Sequence, residues 1–189
     1  MPRRSFEFDP PDRFVAGAIG EPGQRTFYLQ ARQGRRVVSV TLEKVQVTAL
    51  AKRLGLLLVE LDRRGIAKET ATSPAPDIAP LDEPLNEVFR AGTLTLGWDG
   101  ERGRVLVEAR ETQPDDPDAA VETEEVEALD DDEDGPDVVR VRMSAETARS
   151  FVERALRIVR AGRPPCPFCG NPLDPGGHIC PRKNGHFIN

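Results

Sequence analysis

Both histidines and all three cysteines of this 189-residue chain fall in its last 24 residues, so nothing before Cys166 offers an imidazole or a thiol. The body of the chain therefore lacks the base that Ser-His-Asp or Cys-His catalysis requires. There is one tyrosine, which leaves Tyr28 as the single phenol available to stack on a base. The longest apolar run, near Leu54 to Leu61, is broken by Gly55 and Glu60. It is far shorter than the ~18 to 20 residues of a bilayer-spanning helix, so no membrane span is expected. Arg3 and Arg4 open the chain with no apolar stretch behind them, so no secretory signal is read and the expected location is cytoplasmic. No Gly-x-x-x-x-Gly-Lys-Ser/Thr occurs and no Gly-x-Gly-x-x-Gly follows a strand, which removes the usual supports of nucleotide hydrolysis and dinucleotide redox chemistry. Carboxylate pairs such as Glu60 with Asp62 or Glu108 read as solvated surface charge. No catalytic residue is assigned, and a binding protein is favoured over an enzyme.

What is present suffices for a core, since 38% of residues are hydrophobic and 31% charged. The formal net charge of −6 averages two unlike regions. Residues 113–137 hold thirteen acids and no Lys or Arg, whereas the rest of the chain has 26 basic against 19 acidic residues. That insert repels itself and is poor in core formers, so disorder is expected of it, while the remainder suits anionic partners.

A second interruption, 69–84, carries four prolines, which fix φ and remove donors, so neither helix nor sheet can propagate. It separates two halves, 1–68 and 85–163, of one pattern. Val37 to Leu42 and Val138 to Met143 alternate as strands do, and each precedes apolar residues spaced by three and four: Val47, Leu50, Leu54 and Leu58, then Ala148, Phe151, Ala155 and Val159. The spacing predicts helices over 43–64 and 145–161, the second capped by Ser144 and stopped by Pro164-Pro165. Two further strands precede each pair, Phe14 to Ile19 with Arg25 to Ala31 and Gly92 to Trp98 with Arg104 to Arg110, joined by glycine-bearing turns. Without linkers and tail on the order of 120 residues remain, too few for two independent cores. The expected fold is one α+β domain over 1–163: two βββα halves related by a pseudo-twofold axis, an antiparallel sheet and two helices on one face. Exposed edges of such a sheet could join two copies into a homodimer.

The tail, 164–189, reads as a zinc-ribbon-like knuckle. Cys166-Pro-Phe-Cys169-Gly places two thiolates one tight turn apart, with proline setting φ and glycine letting amides point at sulfur. Two more ligands must come from His178, Cys180 and His186, and Cys180 is common to both solutions. His178 is favoured by Gly176-Gly177 before it and by Cys180-Pro181, which repeats the start of the knuckle; His186 stays as the alternative fourth ligand. Four protein ligands describe a structural Zn2+ with no open position for water.

The opening Phe8-Asp-Pro-Pro-Asp-Arg-Phe14, the stretch Gly20 to Gln30 and the closing Cys166-Pro-Phe-Cys-Gly with Gly177-His-Ile-Cys-Pro-Arg182 together resemble an uncharacterised actinobacterial protein family, over the whole chain. The resemblance brings no assigned activity. It implies His178 rather than His186 as ligand, because family members place an aromatic residue near the position of His186.

Strand alternation separates the sheet's faces. Phe27, Leu29, Val38, Val40, Leu94, Leu96, Trp98, Val105, Val107, Val139 and Val141 are expected inward. Tyr28, Arg36, Arg104, Arg110, Arg140 and Arg142 are expected on the opposite face, five arginines against the single acid Glu108. That face reads either as ordinary solvated surface or as a groove for single-stranded nucleic acid or another polyanion, with Tyr28 stacking a base and the acidic insert competing in cis. The competing reading is a protein-protein adaptor that works through the zinc tail and acidic segment. The third is an enzyme acting on a phosphorylated small molecule.

Overall fold

Period-two alternation builds one sheet, and the two stretches of helical period lie across its apolar side. The structure is a computed structural model that describes residues 3–67, 76–113, 121–123, 135–162, 166–171, 173, 180 and 182. The elements are β1 (Ser5–Phe8), β2 (Arg13–Ile19), β3 (Thr26–Gln33), β4 (Arg36–Leu42), α1 (Lys44–Arg63), β5 (Glu87–Asp99), β6 (Arg104–Glu111), β7 (Val121–Thr123), β8 (Val138–Met143) and α2 (Ala145–Arg160).

Seven strands follow the order β1-β8-β6-β5-β4-β3-β2, and β7 pairs with β5 off that path. The sheet is mixed, not antiparallel, because β1 runs parallel to β8, β4 to β5 and β7 to β5. The long strand β5 meets β4 along Glu87 to Arg90 and β7 along Leu94 to Leu96, one after the other on the same edge.

The βββα pattern recurs as β2-β3-β4-α1 and β5-β6-β8-α2. Its halves follow each other in the same order and the same direction along the sheet. The second copy of the unit thus stands directly beside the first, with β4 against β5.

Ten of the inward residues expected from alternation join one core, while Trp98 is only partly buried and packs at its margin. Leu50, Leu54 and Leu58 of α1 and Ala148, Phe151 and Ala155 of α2 pack against them, and Phe14 stacks on Phe151 with ring centroids 4.8 Å apart. Ser144 caps α2 by accepting from the Thr147 amide at 3.1 Å. Gln46 fixes α1 differently: it accepts from the Glu43 amide at 2.7 Å and donates to the carbonyls of Ala91 and Gly92 at 3.2 and 2.7 Å.

The two outermost strands, β1 and β2, are only four residues apart in sequence. Those residues bridge at most about 17 Å, while seven flat strands would spread over about 29 Å. The sheet must therefore coil around its apolar side. Consistently, inner residues of β2, β3, β4, β6 and β8 line one small apolar cavity. Arg36 of β4 reaches β1, donating to the Glu7 carbonyl at 3.2 Å.

Candidate metal centre and the arginine face

In the tail, Cys166, Cys169 and Cys180 bring their sulfurs within 4.8 Å of one another. Local backbone makes the turn. The Gly170 amide donates to the Cys166 carbonyl at 2.8 Å, Gly170 holds φ +77°, and the Cys166 amide donates to Asn171 at 2.7 Å. Arg182, just beyond Cys180, donates to the Phe168 carbonyl at 3.1 Å and ties the two ends of the centre. Burial opposes ionisation of Cys166, but the amides of Cys169 and Phe168 and the neighbouring thiols outweigh it and hold the thiol below its ordinary range. Cys169 accepts from the Asn171 amide, yet burial and the adjacent Cys166 push it up.

The Cys166–Cys180 sulfur separation of 3.9 Å fits the tetrahedral edge of about 3.8 Å implied by Zn–S bonds of about 2.3 Å. The three cysteines could therefore hold a metal ion. His178 and His186, the two candidates for the fourth position, lie outside the described residues.

The arginine face is not an open groove. β1, which alternation had not marked as a strand, sets Glu7 beside Arg140, and Asp99 closes β5 beside Arg104. Glu108 is wholly buried and accepts from Arg110 at 2.6 Å and Arg140 at 2.7 Å. Arg140 and Arg142 also donate to Glu7 at 3.1 and 2.9 Å. Asp99 accepts from Arg102 at 3.0 Å and lies 3.7 Å from Arg142. Three of the expected polyanion-binding arginines thus belong to a ladder of alternating charge.

The other expected residues lie elsewhere. Arg36 shares the parity of Val38 and Val40, not of the outer face, and sits over the Phe8 ring at 4.8 Å. Arg104 is half-buried on the outer side of β6. Tyr28 is buried on β3, three strands from β6.

What covers the outer side of β2, β3 and β4 is the end of the proline-rich linker. Arg13 spends all five of its N–H donors on this strap: on Asp77 at 2.7 and 2.9 Å, on Asp82 and the Pro80 carbonyl at 2.9 Å, and on the Ala79 carbonyl at 3.1 Å. Gln30 accepts from the Asp82 amide at 2.7 Å and donates to the Asp82 carbonyl and to Ser39. Leu81 lies over Gly17, where a Cβ would come within 2.5 Å of it, so only glycine fits beneath. Arg154 of α2 donates to the Ala16 carbonyl and to Asp77, each at 2.8 Å. The strap therefore passes around β2, and the edge read as free for a second copy is partly taken. Arg13 also holds the Asp77 carboxyl below its usual range, chiefly through its hydrogen bonds and against the effect of burial.

The acidic insert also departs from expectation at its described residues. Val121–Thr123 forms β7, and Asp137 is buried, bonded to the Arg4 amide at 2.8 Å and to its Nε at 2.6 Å. Residues 114–120 and 124–134 lie outside the described residues. Among the described residues no helix is long and apolar enough to cross a membrane.

A coiled mixed sheet with two helices on its inner side defines an α+β protein, and a cluster of three cysteines at 166–180 could hold a metal ion. The chain belongs to the family described as proteins of unknown function DUF3090, whose model matches residues 6–180. No curated protein and no solved structure matches the chain.

Proposed function

We propose that this is a non-enzymatic binding protein whose tail is built around a structural Zn2+ held by Cys166, Cys169, Cys180 and His178. The convergence of three thiols in a turn whose amides point at sulfur carries this reading. The metal would fix the tail in one conformation, as structural zinc does in small folds. His178 is preferred to His186 because the family match takes in 166–180 and stops short of 186. The folded tail then presents Phe168, which is 54% exposed between two cysteines, as an apolar contact for a protein partner.

An adaptor is the first reading because the alternative needs arginines that are already engaged. Polyanion binding stays second, favoured by the ladder's excess of arginines (102, 110, 140 and 142) over Glu7, Asp99 and Glu108. Anisotropy of labelled single-stranded RNA against the full chain at several salt concentrations tests it, and absence of binding at low salt removes it.

Metal analysis tests the first reading. Purified full-length protein should carry one zinc per chain, lose it in Cys166→Ser, hold it weakly in His178→Ala and retain it in His186→Ala. Three freely titrating thiols in metal-free protein from zinc-supplemented expression would overturn the proposal.

A further inference from the structure

The two helices lie side by side in one layer, yet their outward faces differ. Along α2 the exposed residues are Glu146, Glu153, Arg157 and Arg160, all charged and balanced in sign, as a solvated helix face should be. Along α1 they are Lys44, Val45, Lys52, Arg53, Leu56, Val59 and Arg63: three large apolar residues, four bases and no acid. Exposure is 69% at Val45, 71% at Leu56 and 50% at Val59. Val45, Lys52, Leu56, Val59 and Arg63 fall on one side of the helix by their spacing, opposite the buried Leu50, Leu54, Leu58 and Leu61. The acids of α1 flank this stripe and are paired: Glu60, beside Leu56, with Arg64, and Asp62 with Arg149. Isolated exposed aliphatics are ordinary, but a helix apolar on both sides is the mark of a second packing partner.

We infer that the outward stripe of α1 is a docking surface for an acidic amphipathic segment of a partner protein. Apolar side chains of the partner would pack on Val45, Leu56 and Val59, and its carboxylates would meet Lys52, Arg53 and Arg63. Charge complementarity selects this occupant. A second copy of α1 would set like charges against each other, and a wholly apolar segment would leave the bases unused. This surface adds the chemistry of a partner to the adaptor reading, and it stands apart from the metal tail. The chain also carries a potential competitor, since its own acidic insert enters the sheet as β7, which lies against α1.

The test uses the full chain and a fluorescein-labelled synthetic peptide of helical period with leucine on one side and glutamate on the other. A second peptide carries lysine in place of every glutamate. The glutamate peptide should bind, and the lysine peptide should bind at least roughly tenfold more weakly. Leu56→Glu with Val59→Glu should weaken binding by about tenfold or more, and Lys52→Glu with Arg63→Glu by several-fold with a shallower salt dependence. Glu153→Lys with Arg160→Glu on α2 should leave it unchanged. All these positions are outward, so each variant can be checked for an unaltered melting curve. Cys166→Ser should not change peptide binding, which separates this outcome from failure of the metal reading. Absence of binding, equal binding of both peptides, or indifference to Leu56→Glu with Val59→Glu would overturn the proposal. So would binding seen only after the acids from Glu124 to Asp134 are neutralised to their amides, because the stripe would then belong to the chain's own insert.

Discussion

Gln30 and Glu108 stand on the middle strands of the two strand triplets, both on the outer side and both buried, but they are satisfied by different means. Gln30 is a neutral amide whose partners are the backbone of the strap and the hydroxyl of Ser39. Glu108 is a carboxylate between two guanidinium groups. One half of the outer face is thus closed by a length of chain laid over it, and the other by side chains that neutralise one another. A strap without secondary structure is only as secure as its anchors, and here the main anchor is Arg13. A ladder spreads the same task over several residues, so losing one member leaves others in place.

The largest expected effect follows from that contrast. Arg13→Ala removes five hydrogen bonds at once and leaves Asp77 and Asp82 without their shared cation. The expected loss is about 3 kcal/mol in urea unfolding, as for breaking a largely buried pair from one side. Arg13→Lys should recover less than half, since an ammonium cannot fork to a carboxylate and two carbonyls together. A loss under about 0.5 kcal/mol, the range of ordinary surface substitutions, would mean that Leu81 and Asp82 hold the strap unaided.

A smaller loss, about 2 kcal/mol, is expected for Glu108→Leu, because Arg140 keeps Glu7 and Arg110 can turn toward water. Adding Arg140→Met should restore much of it, since a buried ion pair exchanged for apolar neighbours of similar volume is close to neutral. If the double variant is instead the sum of two losses, Glu108 and Arg140 are not coupled, and Arg140 acts through Glu7.

How far this arrangement could be read from sequence depends on the range of the interactions. Both helices were legible to within a residue, because Ser144, Gly65 and the period of the leucines act locally. The inward strand residues were legible for the same reason, and so was the cysteine turn. The ladder was not, because its acids lie 32 and 133 residues from Arg140 along the chain, in Glu108 and Glu7. Ser5–Phe8 is too short to announce itself as a strand, so Glu7 went uncounted and the face looked more basic than it is. Prolines reveal where secondary structure stops but not where the chain then lies, and Arg13 finds Asp77 across 64 residues. Strand order is a global property for the same reason. Local pattern gave the repeated βββα unit, while the placement of its two copies depends on β4 meeting β5.

Acid titration tests the comparison most finely. Asp77 on the strap and Asp99 at the ladder both lie below the ordinary aspartate value of 3.8, so each stabilises the folded state fully above that value and loses its contribution as the pH falls below it through the folded-state value. Asp77→Asn and Asp99→Asn should each cost about 1 kcal/mol at neutral pH, and each difference from the native protein should narrow below pH 3.8. The causes differ. The hydrogen bonds from Arg13 come first for Asp77, whereas the backbone amide of Arg102 comes first for Asp99. In an Arg13→Ala background, Asp77→Asn should therefore add little and leave the acid limb of the stability curve where it was. Asp99→Asn should still flatten that limb, because its amide donor belongs to the turn after β5 and owes nothing to the strap. Equal loss of both effects in that background would show that the two halves of the outer face unfold as one unit, and that their difference in construction has no counterpart in stability.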